Sequence, residues 1–426
     1  MRKSVLSSIA VVLALVAPAV AVARPHRSPG PSPAPAPASA PSPVPTTIET
    51  PRPSLQAPEV EAASAILADL DTGQLLFATH PDDRRPIAST TKILTALLVL
   101  RTATPADVVT VGHEAAEEAH NLFSGSTELG LREGERLTVR QLLYALLLQS
   151  ANDAAVALAD FVSGSTDRFV ARMNRFADGE GFTRTRFYSP NGLDDRGYST
   201  ARSLGAMARE ALRVPAFSRI VRSRFHVVPA PPGGEPRPIQ NRNVLLWGYP
   251  GAFGVKTGFT SKAGYCLVAA ARKNGQRLVS VVLGEPSSAD SFSDAAALLN
   301  YGFHAFVRSE VLADGQAAGT VTIGRVPIPV AAGASLSAWV PADNVDDPGV
   351  TRHLGSYETP VEAGDRIGSL RVTLDGRTLG TVPLLVVAAP PADQQTQPAP
   401  AAHPWWRRGA DALRGAADDL FHAVFG

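Results

Sequence analysis

The hydrophobic pattern divides the chain into a helix-rich middle with strands on either side. Two apolar runs, Ser64–Leu70 and Gln74–Phe77, flank Asp-Thr-Gly and predict a β-hairpin, and further β-rich runs follow at 264–271 and 277–283. Between and after them, the pattern predicts helices at Thr90–Arg101, Val139–Phe161, Thr166–Gly179, Thr200–Leu212 and Ser291–Phe306. Strands at both ends of this region are expected to pair into one antiparallel sheet covered by helices, an α+β fold.

The pattern changes after residue 306, where short alternating runs are punctuated by glycine. Asp375-Gly376 lies between two such runs and predicts a tight hairpin turn. We therefore predict two folded domains, an α+β domain over residues 59–306 and a small all-β domain over 307–388.

The two ends of the chain have compositions of their own. Residues 1–23 combine a basic start, an uncharged stretch and Ala-Val-Ala, which predicts a signal peptide that is cleaved, or else an uncleaved signal anchor. Residues 24–58 are rich in proline and 389–404 in proline, alanine and glutamine, and both are typical of linkers. Residues 405–426 predict an amphipathic helix that lies in a membrane interface, or that docks on its own protein.

Composition excludes several classes of function. The chain has 40 basic and 39 acidic residues, a net charge of +1, which argues against a nucleic-acid-binding protein. Cys266 is the only cysteine, and the nine histidines are scattered singly, so we expect no disulfide within the chain, no metal site and no cofactor.

The cationic residues are distributed very unevenly, because only five of the 40 are lysine. Lysine can lose its proton inside a protein, whereas arginine effectively cannot. The few lysines are therefore candidates for proton-transfer chemistry.

Lys92 follows Ser89 by three residues, at the start of a predicted helix whose next eight residues are apolar except for Thr95. Residues i and i+3 share a helix face, and a lysine that is neutral in such a place can activate a serine hydroxyl. Taken alone, the pair could also be a helix cap with a surface lysine. Ser150-Ala151-Asn152 ends another apolar run, and Lys256-Thr257-Gly258 lies on an edge-like strand that could hold a peptide and its terminal carboxylate.

The order of these motifs is more specific than any one of them. S-x-x-K, S-x-N and K-T-G in this order are the motif set of class A β-lactamases and penicillin-binding proteins. Together with Ser189–Leu193, Tyr198–Arg202 and 241–243 (Asn-Arg-Asn), they resemble the serine-type D-alanyl-D-alanine carboxypeptidases, which are low-molecular-weight penicillin-binding proteins. The resemblance covers about residues 60–305. It implies a penicillin-binding-protein/β-lactamase-like transpeptidase domain, with 307–388 as the family's accessory domain and the tail as its membrane anchor.

The resemblance also implies which residues do the chemistry. Ser89 would attack the carbonyl between the last two D-alanines of a peptidoglycan stem peptide, with Lys92 as its general base. Ser150 would relay protons, and Asn152 would bind the substrate amide and orient Lys92.

The other implied site residues would bind the substrate. Lys256 and Thr257 of the K-T-G motif, which ends in Gly258, would hold the terminal carboxylate, with Arg242 near it, and the charge of Lys256 would help to keep Lys92 neutral. The backbone N–H groups of Ser89 and Phe259 would form the oxyanion hole. β-Lactams would be covalent inhibitors, and the protein would act outside the cytoplasm, in the cell envelope.

Three residues depart from the family pattern, namely Ala151, Phe259 and Ser203. A class A β-lactamase would need a glutamate in an asparagine-containing loop between Asn152 and Lys256. The glutamates in this interval do not lie in such a loop sequence. An α/β-hydrolase would need G-x-S-x-G, which does not occur. Two alternatives remain open, a D,D-endopeptidase that cuts peptidoglycan cross-links and a non-catalytic wall-binding protein.

Overall fold

A computed structural model of the chain describes residues 56–120, 127–231, 233–343 and 348–395. The predicted signal peptide, most of the first linker and the predicted tail helix lie outside the described residues.

The described residues form strands and helices in the following order along the chain. The strands are β1 (Ser64–Asp69), β2 (Leu75–Thr79), β3 (Val108–Thr110), β4 (Arg136–Thr138), β5 (Phe225–Val228), β6 (Arg237–Gln240), β7 (Ala252–Thr260), β8 (Gly264–Lys273), β9 (Gln276–Glu285), β10 (Phe306–Leu312), β11 (Ala317–Ile323), β12 (Val326–Ala332), β13 (Leu336–Pro341), β14 (Gly349–Leu354), β15 (Arg366–Leu374) and β16 (Arg377–Val386). The helices are α1 (Lys92–Leu100), α2 (His113–Glu118), α3 (Val139–Tyr144), α4 (Asn152–Ser163), α5 (Thr166–Gly179), α6 (Ala201–Arg213), α7 (Pro215–Val221), α8 (Leu245–Gly248), α9 (Ser288–Ala305) and α10 (Ala392–Gln395).

Five antiparallel strands form the main sheet in the order β2-β1-β9-β8-β7. Side chains alternate between its faces: Ile66 and Val281 pack with α1, α4 and α6 on one face, whereas Leu67 and Val282 pack with α9 on the other. All four are buried, and each contributes roughly 1.5–3 kcal/mol of hydrophobic stabilisation. The predicted α+β fold is confirmed, and β7, which carries the K-T-G motif, is an edge strand.

The prediction of one helix from Val139 to Phe161 is wrong. α3 passes into a π-helical turn at Ala145–Gln149, and the chain then breaks at Ser150, whose φ of 71° lies in the left-handed region. The amide of Asn152 donates to the carbonyl of Thr127 (2.7 Å) and so leaves the helical hydrogen-bond ladder before α4 begins. The apolar spacing before and after Ser150 does not reveal this break, because hydrophobic spacing does not report the backbone conformation of one residue.

The C-terminal part is all β, as predicted. β11, β12, β16, β15 and β14 form a second five-stranded sheet around a core that includes Ile328, Leu370 and Leu384, and β10 pairs with β13. Asp375 and Gly376 both have positive φ in the β15–β16 turn, as a two-residue hairpin of the expected type requires.

The α+β region and the C-terminal β-rich region meet at the β2 edge of the main sheet. α9 ends at Ala305 and β10 begins at the next residue. The side-chain amide of Gln74 donates to the carbonyl of Trp339 (2.5 Å) and accepts from its N–H (2.9 Å). One side chain thus clamps the β1–β2 turn to β13. None of the helices among the described residues is long and apolar enough to cross a membrane.

Candidate active site

Ser89 lies in a short 3₁₀ turn, Ala88–Thr91, that leads directly into α1. Ala88 has a φ of 45°, a conformation that costs a non-glycine residue energy and that is common at functional turns. The facing loop approaches this turn so closely that only glycine fits at position 192, because a Cβ added to Gly192 would lie 2.0 Å from the carbonyl oxygen of Ala88. The turn is therefore held tightly, with the partly exposed Ser89 side chain at the surface of the cleft.

Lys92 is fully buried one turn after Ser89. Its Nζ lies 2.9 Å from Ser89 Oγ, 2.7 Å from Asn152 Oδ1 and 2.8 Å from the carbonyl oxygen of Asn191. The last two oxygens can only accept hydrogen bonds. In the neutral amine, the two N–H bonds can point to these oxygens, which directs the lone pair at the Ser89 hydroxyl. This is the geometry of a general base beside a nucleophile.

Burial lowers the pKa of Lys92 to about 7. This pKa of about 7 also includes the carboxylates of Glu118, Asp153 and Glu128, which favour the protonated form, and the charge of Arg242, which disfavours it. A substantial fraction of Lys92 is therefore neutral near pH 7, as a base requires.

The Ser189–Leu193 loop closes one side of this site and is fixed to α1 by two bonds. Besides the Asn191 carbonyl on Lys92, the carbonyl of Pro190 accepts a hydrogen bond from Thr95 Oγ1 (2.6 Å). The sequence singled out this loop for its resemblance to the family but did not place Asn191 at the lysine. A backbone acceptor leaves no side-chain signal in the sequence.

Ser150 and Asn152 lie on the segment between the π-helical turn and α4. Ser150 is buried at the break described above, and Asn152, at the start of α4, reaches Lys92 directly. The S-x-N motif is thus joined to the S-x-x-K motif by a side-chain hydrogen bond across 60 positions of the sequence.

β7 passes immediately beside the backbone of the serine turn. A Cβ on Gly258 would lie 3.1 Å from the amide nitrogens of both Ser89 and Thr90 and from the carbonyl oxygen of Ile87. Glycine is required here because the strand backbone needs this close approach. The next residue, Phe259, has an exposed side chain that packs on Tyr265.

Lys256 lies on this strand with its side chain buried, and its Nζ donates to the carbonyl of Thr257 (2.8 Å). Burial, together with the charges of Lys92 and Arg242, holds the pKa of Lys256 well below its usual value. Because the repulsion between two ammonium groups acts on both of them, the expectation that Lys256 helps to keep Lys92 neutral stays a prediction, and Arg242 lowers the pKa of both lysines. A substrate carboxylate that binds beside Lys256 would raise its pKa again, because an anion favours the protonated form of lysine.

The structure therefore brings Ser89, Lys92, Asn152 and Gly258 into one cleft, with Lys256 and Arg242 close enough to act on it electrostatically. Within the part of the chain that the structure describes, no three histidine, cysteine, aspartate or glutamate side chains are grouped as metal ligands would be.

Comparison with known proteins decides the family. The pattern of the peptidase S11 family, D-alanyl-D-alanine carboxypeptidase, matches residues 52–287. The chain belongs to this family. It is 33% identical over 348 residues to the D-alanyl-D-alanine carboxypeptidase DacA of Escherichia coli K12, covering 78% of this chain and 84% of that protein. DacF of Bacillus subtilis is 29% identical over 330 residues, covering 76% of this chain and 84% of that protein.

A solved structure agrees with the sequence relatives. Penicillin binding protein 5 of Haemophilus influenzae superposes on this family member with a TM-score of 0.64 and 29% identity, over 78% of this chain and 98% of the other. The match extends beyond residue 306, so it includes the β-rich region as well as the cleft.

Proposed function

We propose that this protein is a serine-type D-alanyl-D-alanine carboxypeptidase that removes the terminal D-alanine from peptidoglycan stem pentapeptides through an acyl-enzyme on Ser89. The observation that carries the proposal is the placement of the buried Lys92 amine 2.9 Å from Ser89 Oγ, with two acceptor oxygens for its N–H bonds. A serine and a neutral lysine so arranged form an activated nucleophile pair.

The first half-reaction forms the acyl-enzyme. Ser89 Oγ attacks the carbonyl carbon of the last peptide bond while its proton passes to Lys92 Nζ. The N–H groups of Ser89 and Phe259 stabilise the oxyanion, and the close approach of Gly258 to the amide of Ser89 supports this assignment. The C–N bond then breaks, the departing D-alanine amine takes a proton through Ser150, and the peptide remains as an ester on Ser89.

Water completes the cycle. Its attack on the ester, with proton removal by Lys92 and Ser150, restores the serine hydroxyl and releases the shortened peptide. Asn152 binds the peptide amide, and Lys256, Thr257 and Arg242 hold the terminal carboxylate. A β-lactam acylates Ser89 in the same first half-reaction. Because its amide bond is part of a ring, the leaving amine stays joined to the acyl group, and the inhibitor remains attached to the serine.

The test uses purified protein with a pentapeptide that ends in D-alanyl-D-alanine, and measures free D-alanine. A cross-linked peptide dimer in a parallel reaction tests the D,D-endopeptidase alternative, and a fluorescent penicillin tests the non-catalytic wall-binding alternative. Release of D-alanine together with penicillin labelling supports the proposal. Cleavage of the dimer alone supports the endopeptidase, and an absence of both labelling and turnover supports the binding protein.

We further propose that the protein acts outside the cytoplasm and associates with the membrane surface through residues 405–426. The support is the signal-like start and the pairing of tryptophans with arginines in the tail. Protein that spans residues 59–426 should co-sediment with anionic lipid vesicles at low salt, and protein that spans residues 59–389 should not. Equal sedimentation of the two proteins would contradict the anchor.

A further inference from the structure

Two glutamates lie behind the two oxygen atoms that hold Lys92. Asn152 presents its Oδ1 to Lys92 and donates from Nδ2 to Glu128 Oε1 (3.4 Å). Asn191 presents its carbonyl to Lys92 and donates from its own Nδ2 to Glu118 Oε1 (3.1 Å). Both acceptors of the lysine thus belong to asparagines whose side-chain amides are bound by a carboxylate.

The segment that carries Glu128 is fixed by a dense set of hydrogen bonds. Asp153, fully buried, accepts from the amides of Leu129, Gly130 and Leu131 at 2.9–3.0 Å. Gln149 Nε2 donates to the carbonyl of Glu128 itself (2.8 Å). A carboxylate held by the backbone in this way can orient an asparagine with little loss of entropy.

Glu118 reaches the site from the opposite side. It is the last residue of α2, which packs against α4. Its neighbour Glu117 points to solvent, with 71% of its side chain exposed, and pairs with His113 at the surface. On the same short helix, the carboxylate of Glu118 therefore contacts the cleft, whereas that of the adjacent Glu117 does not.

We propose that Glu118 and Glu128 are positioning residues that fix Asn191 and Asn152 as the two acceptors of Lys92 and hold its amine against Ser89. No motif in the sequence marks either glutamate. This proposal rests on the proposed function for the role of Lys92 and goes beyond it. It assigns to the two carboxylates control of the direction of the Lys92 amine and of how readily that amine gives up its proton.

The charges around Lys92 set the sign of the expected effect. The carboxylates of Glu118, Glu128 and Asp153 favour its protonated form, and Arg242 and burial disfavour it. Lys256 faces the same cleft, and its own pKa is lowered by Lys92. Removing either glutamate charge should therefore lower the pKa of Lys92 and make the neutral amine available at lower pH.

The experiment replaces Glu118 and Glu128 by glutamine, singly and together, in the full chain. Glutamine keeps an oxygen for the asparagine amide but removes the charge. The first readout is the acid limb of the pH profile for acylation by a fluorescent penicillin. It should move to lower pH by about half a unit or more per substitution, with the plateau rate within about threefold of wild type. Glu117→Gln is the matched control and should leave the profile in place.

The alanine variants test positioning separately from charge. Glu128→Ala and Glu118→Ala remove the acceptor as well, so each should lower the plateau rate at least about tenfold, and glutamine should restore it. A structural role would give equal losses for alanine and glutamine with no movement of the acid limb, and this result would overturn the proposal.

A second readout does not depend on catalysis. The chain has only five lysines, so ¹³Cε-lysine NMR can follow the titration of Lys92, assigned by its absence in Lys92→Arg. The Lys92 midpoint should fall in the Glu118→Gln and Glu128→Gln variants, and an unchanged midpoint in both would overturn the proposal. If wild-type protein neither binds penicillin nor releases D-alanine, the proposed function fails, and the lysine titration still decides whether the carboxylates act on Lys92. Circular dichroism checks the fold of each variant, and the single variants decide the question if the double variant does not fold.

Discussion

Replacing Lys92 by arginine separates the charge of this residue from its ability to take a proton. With a pKa of about 7, Lys92 is roughly 90% neutral at pH 8. A guanidinium with a pKa above about 12 is neutral in fewer than about one molecule in 10⁴ at this pH. Because general-base catalysis contributes about 10²–10⁴-fold, Lys92→Arg should slow acylation of Ser89 by that factor, or about 2.7–5.5 kcal/mol.

The assay is the second-order rate of labelling by a fluorescent penicillin from pH 5 to 10, in steps of about half a unit. Wild-type protein should lose about tenfold in rate for each pH unit below about 7, because the proton that Lys92 binds blocks its lone pair. Lys273→Arg, an exchange of the same type at an exposed position, is the control for the substitution itself.

Two outcomes would refute the reasoning. If Lys92→Arg retains more than about a tenth of the wild-type rate, a loss below ~1.4 kcal/mol, Lys92 is not the base. If the wild-type rate is flat between pH 5 and 8, the acid limb does not belong to a buried lysine. Since the arginine is larger, Lys92→Met serves as a second variant of similar length that cannot take a proton, and thermal melting of both reports whether they fold.

Three further substitutions test the remaining parts of the site. Ser89→Ala should abolish both D-alanine release and penicillin labelling, measured on the same sample, since both need the same oxygen; labelling of another residue would contradict the nucleophile assignment. Lys256→Arg should retain more carboxypeptidase activity than Lys256→Ala, measured as kcat/KM on the pentapeptide, because it keeps a cation for the terminal carboxylate; equal activity of wild type and Lys256→Ala would count against that role. Gly258→Ala should slow acylation at least about tenfold, because its Cβ would press on three backbone atoms at 3.1 Å. Gly112→Ala, at a position with open space, should not, and equal rates for the two glycine variants would show that the close approach is unimportant.

The fold could be predicted from the sequence where hydrophobic spacing reports it directly. The β1–β2 hairpin, α5, α6 and the β15–β16 turn lie within a few residues of their predicted positions. The break at Ser150 could not be predicted, because the apolar run continues up to it and the backbone turns in a left-handed conformation at a residue other than glycine.

The candidate site divides in the same way. Ser89, Lys92 and Asn152 stand in ordered motifs, so the sequence could nominate them, and the structure places Lys92 Nζ within hydrogen-bond distance of both Ser89 and Asn152. Asn191 contacts Lys92 through its backbone carbonyl, and Glu118 contacts the side chain of Asn191, so neither residue type nor spacing assigns these two contacts. Contacts that lie one residue away from the reacting atoms depend on tertiary packing, which the pattern of a single sequence does not report.

The clamp between Gln74 and Trp339 has a mechanical consequence. One side-chain amide makes both hydrogen bonds, so a rotation of the β-rich region about this contact must break the two together. The contact lies beside β2, at the opposite edge of the main sheet from β7 and the serine turn. Force applied to the far end of the β-rich region would reach the sheet as a torque on its β2 edge, and three intervening strands would shield the nucleophile from it.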